Sequence, residues 1–328
     1  MKSLHPCLRR WLGRFANWIP PLLGIVLFIV SVWTIQQELS QHDPQEIWQK
    51  LRSIPTLKVM MAIALVVVNY TVLTGHDALA IRYIQQSLPY RKTALVSVIG
   101  FAVSNAIGLT VLSGGAIRYR FYTAWGMSNR QVAQIIAFCS VSFWLGLLTM
   151  GGVLFLTEAI QIPEAIAIPF TSLRSVGLVA LLAVGVYLLF CCRFQRSLKL
   201  GSITIPPLSW RMAIAQIALT CCDWAVAALT LYVLLKASQL PTFPTFYGIF
   251  IFAKLAGVIS SVPGGLGVFE TVMLLTLSPP IPSVTLLGTL LVFRIIHFFL
   301  PLAVAIATLG LYELRQTRRR QNLRRQDR

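Results

Sequence analysis

Acidic side chains are scarce in this chain of 328 residues: 10 Asp and Glu stand against 28 Lys and Arg, and charged residues of all kinds make up only 12%. A soluble domain carries roughly a quarter charged residues, so a water-exposed globule is excluded. The six cysteines, Cys7, Cys139, Cys191, Cys192, Cys221 and Cys222, have neither zinc spacing nor the spacing of a secreted disulfide scaffold. They read as small apolar residues. No His/Cys/carboxylate cluster has metal-ligand spacing, so no metal and no cofactor are expected. The Walker pattern G-x-x-x-x-G-K-[ST] is absent, and with it the nucleotide-binding loop that would let this sequence drive work from a nucleoside triphosphate. No nucleophile and base stand in a recognisable pair, which argues against an enzyme.

What the chain has is hydrocarbon: 56% of its residues are hydrophobic and its mean hydropathy is +0.74. Apolar segments lie at about 19–35, 57–76, 94–113, 131–157, 174–192, 211–235, 246–277 and 284–312, and about 20 residues suffice to cross a bilayer as a helix. Lys2, Arg9, Arg10 and Arg14 precede the first run, and no small-residue cleavage site follows it. It is expected to be an uncleaved span with its N-terminus inside.

Charge then limits the count. The loops at 82–93 and 114–130 both carry arginines and both belong inside, so segment 94–113 is expected to dip in and return. The tail "LRQTRRRQNLRRQDR" (314–328) also belongs inside. It reads as a cytoplasmic stop signal resting on anionic headgroups and not as a nucleic-acid arm. With Glu158 and Glu164 outside, segment 246–277 becomes a second hairpin, entering from the outer face. The expected fold is all-α: about six full spans plus two re-entrant hairpins. In this arrangement Pro263, Gly264, Gly265 and Gly267 of "SSVPGGLGVFE" form the broken tip of the second hairpin, because irregular backbone at membrane depth needs a protein or water-lined shelter. The alternative is an ordinary span that ends at Pro263 and is followed by an outer loop.

"VLSGGAIRYR" (111–120) and "SVPGGLGVFE" (261–270) share a diglycine, Gly114-Gly115 against Gly264-Gly265, each expected in a re-entrant turn and each followed by an aromatic and then a charge. The flanking spans keep nearly the same spacing, giving repeat halves at about 57–157 and 211–312 within one domain, 1–313. With one hairpin entering from each side, the halves are inverted repeats, an arrangement that places a transporter site where the two broken segments meet. Chance likeness of two glycine-rich turns is the competing explanation.

A charge near the bilayer centre costs at least about 2.5–3.5 kcal/mol on insertion scales. Asp77, Asp223, Lys254, Glu270, Arg294 and His297 are therefore candidate functional residues, with Glu270 able to pair with Arg120 or Arg294. The bland reading of each is a buried ion pair or a snorkelling headgroup. Arg118 and Arg120, after the first diglycine, suit bidentate capture of a phosphate, or else serve only to enforce topology.

On "LSGGAIRYRFYTAWGMS" (112–128), "SVPGGLGVFE" (261–270), "DWAVAALTLYVLL" (223–235) and "VFRIIHFFLPL" (292–302), the chain resembles the transmembrane flippase domain of the lysylphosphatidylglycerol synthase/flippase family, the multiple peptide resistance factors. The resemblance implies a multi-pass protein of the bacterial inner membrane, both termini cytoplasmic, that moves a lipid between leaflets. Asp77, Arg118, Arg120, Glu270 and Arg294 match the family positions tied to that movement. The bifunctional members add an aminoacyltransferase domain, which does not follow the last span here, and this puts a lysyl-lipid cargo in question. Phosphatidylglycerol derivatives, hopanoids and glycolipids all stay open as cargo, as does a homo-oligomer. Two rival readings are an accessory to, or member of, a lipid-linked glycosyl or aminoacyl transferase system, and a scaffold that docks a partner.

Overall fold

In the computed structural model, residues 54–107, 110–157, 173–193, 198–200, 203–205, 207–235, 240–260, 262–278 and 281–326 are described, together with Arg52. The expected first span at 19–35, most of the 36–56 loop, and Glu158 and Glu164 lie outside the described residues. Helix α1 (Thr56–Tyr83) follows Pro55 and has 28 residues, about 42 Å at 1.5 Å per residue, which exceeds the hydrocarbon thickness. Two shorter helices follow, α2 (Tyr90–Ile107) and α3 (Thr110–Ala124). Helix α4 (Asn129–Leu156) opens with a capping box: the Gln131 N–H donates to Ser128 Oγ at 3.3 Å, and the Ser128 N–H donates to Gln131 Oε1 at 2.9 Å.

Helix α5 (Leu173–Arg193) leads through a small antiparallel hairpin, β1 (Leu198–Leu200) and β2 (Ile203–Ile205), to α6 (Trp210–Leu234). Helix α7 (Phe243–Ile259) ends in a tight 3-10 turn at Pro263–Gly265, and the short α8 (Val268–Leu277) leaves it. Helix α9 (Ser283–Arg294) continues through a π turn, Ile295–Phe299, into α10 (Leu300–Gln326). The basic segment expected as a tail is thus helical as far as Gln326.

Among the described residues, five helices are long and apolar enough to cross a membrane: α1, α4, α5, α6 and the continuous Ser283–Arg315. They reproduce the expected spans from 57 onward. Their outward faces are apolar, as lipid requires, with Leu178, Val179, Leu182, Val186 and Leu189 of α5 all exposed.

The order of elements repeats. α1 starts at Thr56 and α6 at Trp210, α2 at Tyr90 and α7 at Phe243, α4 at Asn129 and α9 at Ser283. Helices α1 and α6 pack along their length, and their contacts run in opposite senses. The Lys58 ammonium donates to the Leu235 carbonyl at 2.6 Å, Asn69 meets Asp223, and Gly75 faces Leu219. Helices α1 and α6 are therefore antiparallel. The turn between α7 and α8 reaches the end of α2: a Cβ on Gly264 would lie 3.3 Å from the Ala106 carbonyl oxygen.

One expectation is corrected. Gly114 and Gly115 are not a turn; both sit inside α3, which begins at Thr110. Gly114 is there for closeness, because a Cβ would strike Ser104 Oγ and come within 3.1 Å of the Gly100 carbonyl oxygen on α2. The second diglycine does turn: Gly264, Gly265 and Gly267 have φ of 63°, 62° and 80°, a region costly to residues with a Cβ. The two diglycines are alike in letters and different in structure.

Candidate functional site

Among the described residues, three groups of charged side chains occupy the interior. In the first, Arg118 reaches from α3 to α1, its Nε donating to Asp77 Oδ1 at 2.9 Å and its Nη2 to Oδ2 at 2.6 Å, while the Tyr122 hydroxyl donates to Oδ1 at 2.9 Å. Asp77 is 0% and Arg118 2% exposed. Gly114, Arg118 and Tyr122 recur every four residues, so they share one stripe of α3 and face α2 and α1 together. The guanidinium lies 4.7 Å from the centroid of the Phe101 ring. Every oxygen of Asp77 is thus bound, and this pair ties the first hairpin to α1.

In the second group, Arg294 binds Glu270 through Nε and, at 2.9 Å, through Nη2. Glu270 stands at the third position of α8, and its Oε2 accepts the Gly267 N–H at 2.8 Å, relieving an orphan donor at the helix start. The guanidinium also donates to the Gly264 and Gly265 carbonyls at 3.4 Å each. The carboxylate in "PGGLGVFE" therefore holds the turn's outgoing helix and, through Arg294, the turn itself.

The third group is looser. Asn69 Nδ2 donates to Asp223 Oδ1 at 2.7 Å and to the Asp223 carbonyl at 2.9 Å. Lys254, on α7, has its ammonium 4.7, 5.1 and 5.6 Å from the ring centroids of Phe298, Phe269 and Phe250. Among the described residues it makes no hydrogen bond and no ion pair.

Asp223, Lys254, Arg294 and His297 line a cavity of about 350 Å³ that also touches Asn105 and the Gly264-Gly265 turn. Its walls are aromatic, including Phe143, Trp144 and Trp224. The π turn contributes directly: it contains His297 and Phe298 and follows Arg294, so one local widening of the helix turns all three toward the cavity. Such turns are frequent at functional sites.

The predicted residues fall into three places. Asp223 and Arg294 reach the cavity, with Glu270 behind Arg294. Asp77 and Arg118 form a saturated pair off the cavity. Arg120 is elsewhere: it pairs with Glu313 of α10, with side-chain exposures of 57% and 42%. The expected joint capture of a phosphate by Arg118 and Arg120 is not what the helix allows, because residues two apart point to different faces. The pairing of Glu270 follows Arg294 and not Arg120. Lys254, named in sequence as a costly charge, proves to be a cavity cation. Its signal was available in the apolar context of "GIFIFAKLAG" (248–257).

Long apolar helices, short helix pairs that meet where the Gly264 turn reaches the end of α2, and a cavity lined by charges with an aromatic wall define a multi-pass membrane protein with an internal polar site. The chain belongs to the lysylphosphatidylglycerol synthase TM region family, which it matches over residues 22–305. It is 43% identical to the Synechocystis protein slr0712, over 92% of this chain and 93% of that one. It is 28% identical to the inner membrane protein YbhN of Escherichia coli, over 93% of each. A phosphatidylglycerol lysyltransferase of Staphylococcus aureus is 25% identical over 85% of this chain, which covers 32% of that enzyme.

Proposed function

We propose that the protein is a lipid translocator of the bacterial inner membrane, with the cavity as its headgroup site. The observation that carries this reading is the lining: Asp223, Lys254 and Arg294 around about 350 Å³ of aromatic-walled space, in the interior of a chain whose outer surface is hydrocarbon. Charges at that depth are costly unless they serve a pathway or pair fully, and Asp223 and Lys254 do not pair fully. A phosphodiester is met by Lys254 and the outer edge of Arg294, an amine by Asp223. The acyl chains stay in lipid beside the exposed apolar faces. An anionic or aminoacylated phospholipid fits this lining, and the names of the relatives, an inner membrane protein and a phosphatidylglycerol lysyltransferase, support the membrane and the lipid class.

The repeated element order and the antiparallel α1 and α6 support an inverted-repeat architecture with halves at about 57–157 and 211–312. The α2–α3 and α7–α8 pairs are its re-entrant hairpins. Both termini are then cytoplasmic. Movement of the hairpins about the Gly264–Ala106 contact exposes the cavity alternately to each face. The arginine pairs hold each hairpin rigid during that movement, so Asp77 and Arg118 act in assembly and not in headgroup contact.

The test is leaflet exchange of headgroup-labelled phosphatidylglycerol in proteoliposomes. Wild type and Arg120→Ala exchange lipid, whereas Lys254→Gln and Glu270→Gln, confirmed as folded, do not. Exchange by none of the four, across anionic, aminoacylated and glycosylated lipids, would refute the reading and favour an accessory role in lipid-linked group transfer.

A further inference from the structure

We propose that Asp223 is a proton-carrying carboxylate, and that a phosphodiester headgroup and one proton occupy the cavity together and move in the same direction. This rests on the translocator reading above. Of the three interior carboxylates among the described residues, two have no free oxygen. Asp77 is held by Arg118 and Tyr122, and Glu270 by Arg294 and the Gly267 N–H. Each is committed to a guanidinium. Asp223 differs: Asn69 donates to its Oδ1, and among the described residues no donor reaches Oδ2. It also lines the cavity.

Charge balance fixes the direction. With the cavity empty, ionised Asp223 offsets Lys254, and Glu270 offsets Arg294, so the site is neutral. A phosphodiester adds one negative charge to a poorly solvated space. Protonation of Asp223 removes one, and the loaded site is again neutral. The proton goes from water on one side to an Asp223 oxygen and leaves to water on the other; no bond of the lipid changes. The driving force is a transmembrane proton gradient.

Other titratable groups surround Asp223. From α1 it faces Asn69 and Tyr70, from α7 Tyr247 and Lys254, and on its own helix it has Cys221 and Cys222 beside it. Glu270 and Arg294 lie beyond Lys254 and are paired with each other. From the π turn, His297 stacks on Phe293 at 5.0 Å, and among the described residues its Nδ1 has no partner. Helix α4 contributes Ser140, Phe143 and Trp144 to the cavity, none of which titrates near neutrality. The α5 tyrosine nearest α6, Tyr187, donates to Gln216. The repeat adds an asymmetry: Asn69 stands as far into α1 from Thr56 as Asp223 stands into α6 from Trp210. Equivalent positions of the two halves meet, and only one of them titrates, so the pair carries one proton.

The experiment uses the full chain in phosphatidylcholine/phosphatidylglycerol vesicles containing a trace of headgroup-labelled phosphatidylglycerol, with the membrane potential clamped at zero. A gradient of about one pH unit, coupled one to one, drives the label to about a tenfold excess in the leaflet facing the alkaline side. In Asp223→Asn the ratio returns to about one, and Asp223→Glu restores it. Wild-type exchange whose leaflet ratio ignores the gradient overturns the coupling and leaves the translocator standing; no exchange at all overturns both. A ratio kept by Asp223→Asn and lost by His297→Gln overturns the assignment to Asp223. If Asp223→Asn does not assemble, an entrapped pH dye in wild-type vesicles decides: proton entry in step with the label supports the coupling, and label movement without it refutes it.

Discussion

Replacing Gly114 and Gly115 by alanine, one at a time, separates two neighbouring residues that look interchangeable in sequence. Both lie inside α3, where Gly→Ala on its own gains up to about 1 kcal/mol of helix propensity. At Gly115 the new Cβ finds its nearest neighbour, Ile136 Cδ1, at 3.4 Å, an ordinary contact, so the gain survives. At Gly114 it collides with Ser104 Oγ, lies 3.0 Å from Arg118 Nη1 and 3.1 Å from the Gly100 carbonyl oxygen. The serine can rotate, but the backbone oxygen of α2 cannot. Overpacking of this kind costs about 1–3 kcal/mol and here pushes on the arginine that holds Asp77. The propensity gain is common to both, so Gly114→Ala is expected to be less stable than Gly115→Ala by about 1–3 kcal/mol. Unfolding in mixed micelles by increasing SDS, followed by tryptophan fluorescence, reads the difference. Adding Ser104→Ala should recover only part of it, since the Gly100 carbonyl remains. Equal and large losses at both positions, as a left-handed glycine turn would give, would refute the helical placement.

Asp77→Asn leaves the buried Arg118 charge uncompensated and should cost about 3–5 kcal/mol in the same assay, while a double replacement of Asp77 and Arg118 by leucine recovers much of it; a double variant no better than the single would contradict a closed pair. Arg120→Ala removes an exposed pair and should change stability by no more than about 1 kcal/mol. Gly264→Ala forces a Cβ into a positive φ, with an expected loss of about 1–2 kcal/mol and faster amide exchange at residues 263–267 by hydrogen-exchange mass spectrometry. Glu270→Gln should loosen the same amides by weakening the hold on Arg294; unchanged protection would sink the claim that this pair secures the turn. Ala116→Cys, in a background without other cysteines, should react with an impermeant maleimide from the cytoplasmic side only, and labelling from outside would overturn the proposed orientation of the first hairpin.

Hydrophobic run length alone placed the long helices well. Spans expected at 131–157, 174–192 and 211–235 appear as Asn129–Leu156, Leu173–Arg193 and Trp210–Leu234, because a segment that must satisfy its own backbone in lipid has few alternatives to a helix of fixed length. The expected loop at 114–130 failed for a related reason. Its arginines suggested water, yet Arg118 is 2% exposed inside α3. Counting charges assumes that each one faces an aqueous side, and a guanidinium with a bidentate carboxylate partner does not have to.

Pairing lay beyond the sequence. Arg118 meets Asp77 at a separation of 41 residues, Arg294 meets Glu270 at 24, and Arg120 meets Glu313 at 193. Residue type and apolar context, both local, made Asp77, Asp223, Lys254, Glu270 and Arg294 candidates before any fold was known. Which of them became closed pairs and which were left facing the cavity depended on how α1, α3, α6, α7 and α9 cross one another. Sequence thus determined the membrane setting, the long spans and the interior charges, through transfer energies that belong to each residue. Only the tertiary structure decided that Asp223 and Lys254 remain incompletely partnered beside Arg294, because an ion pair is a property of two helices' relative placement and of neither helix alone.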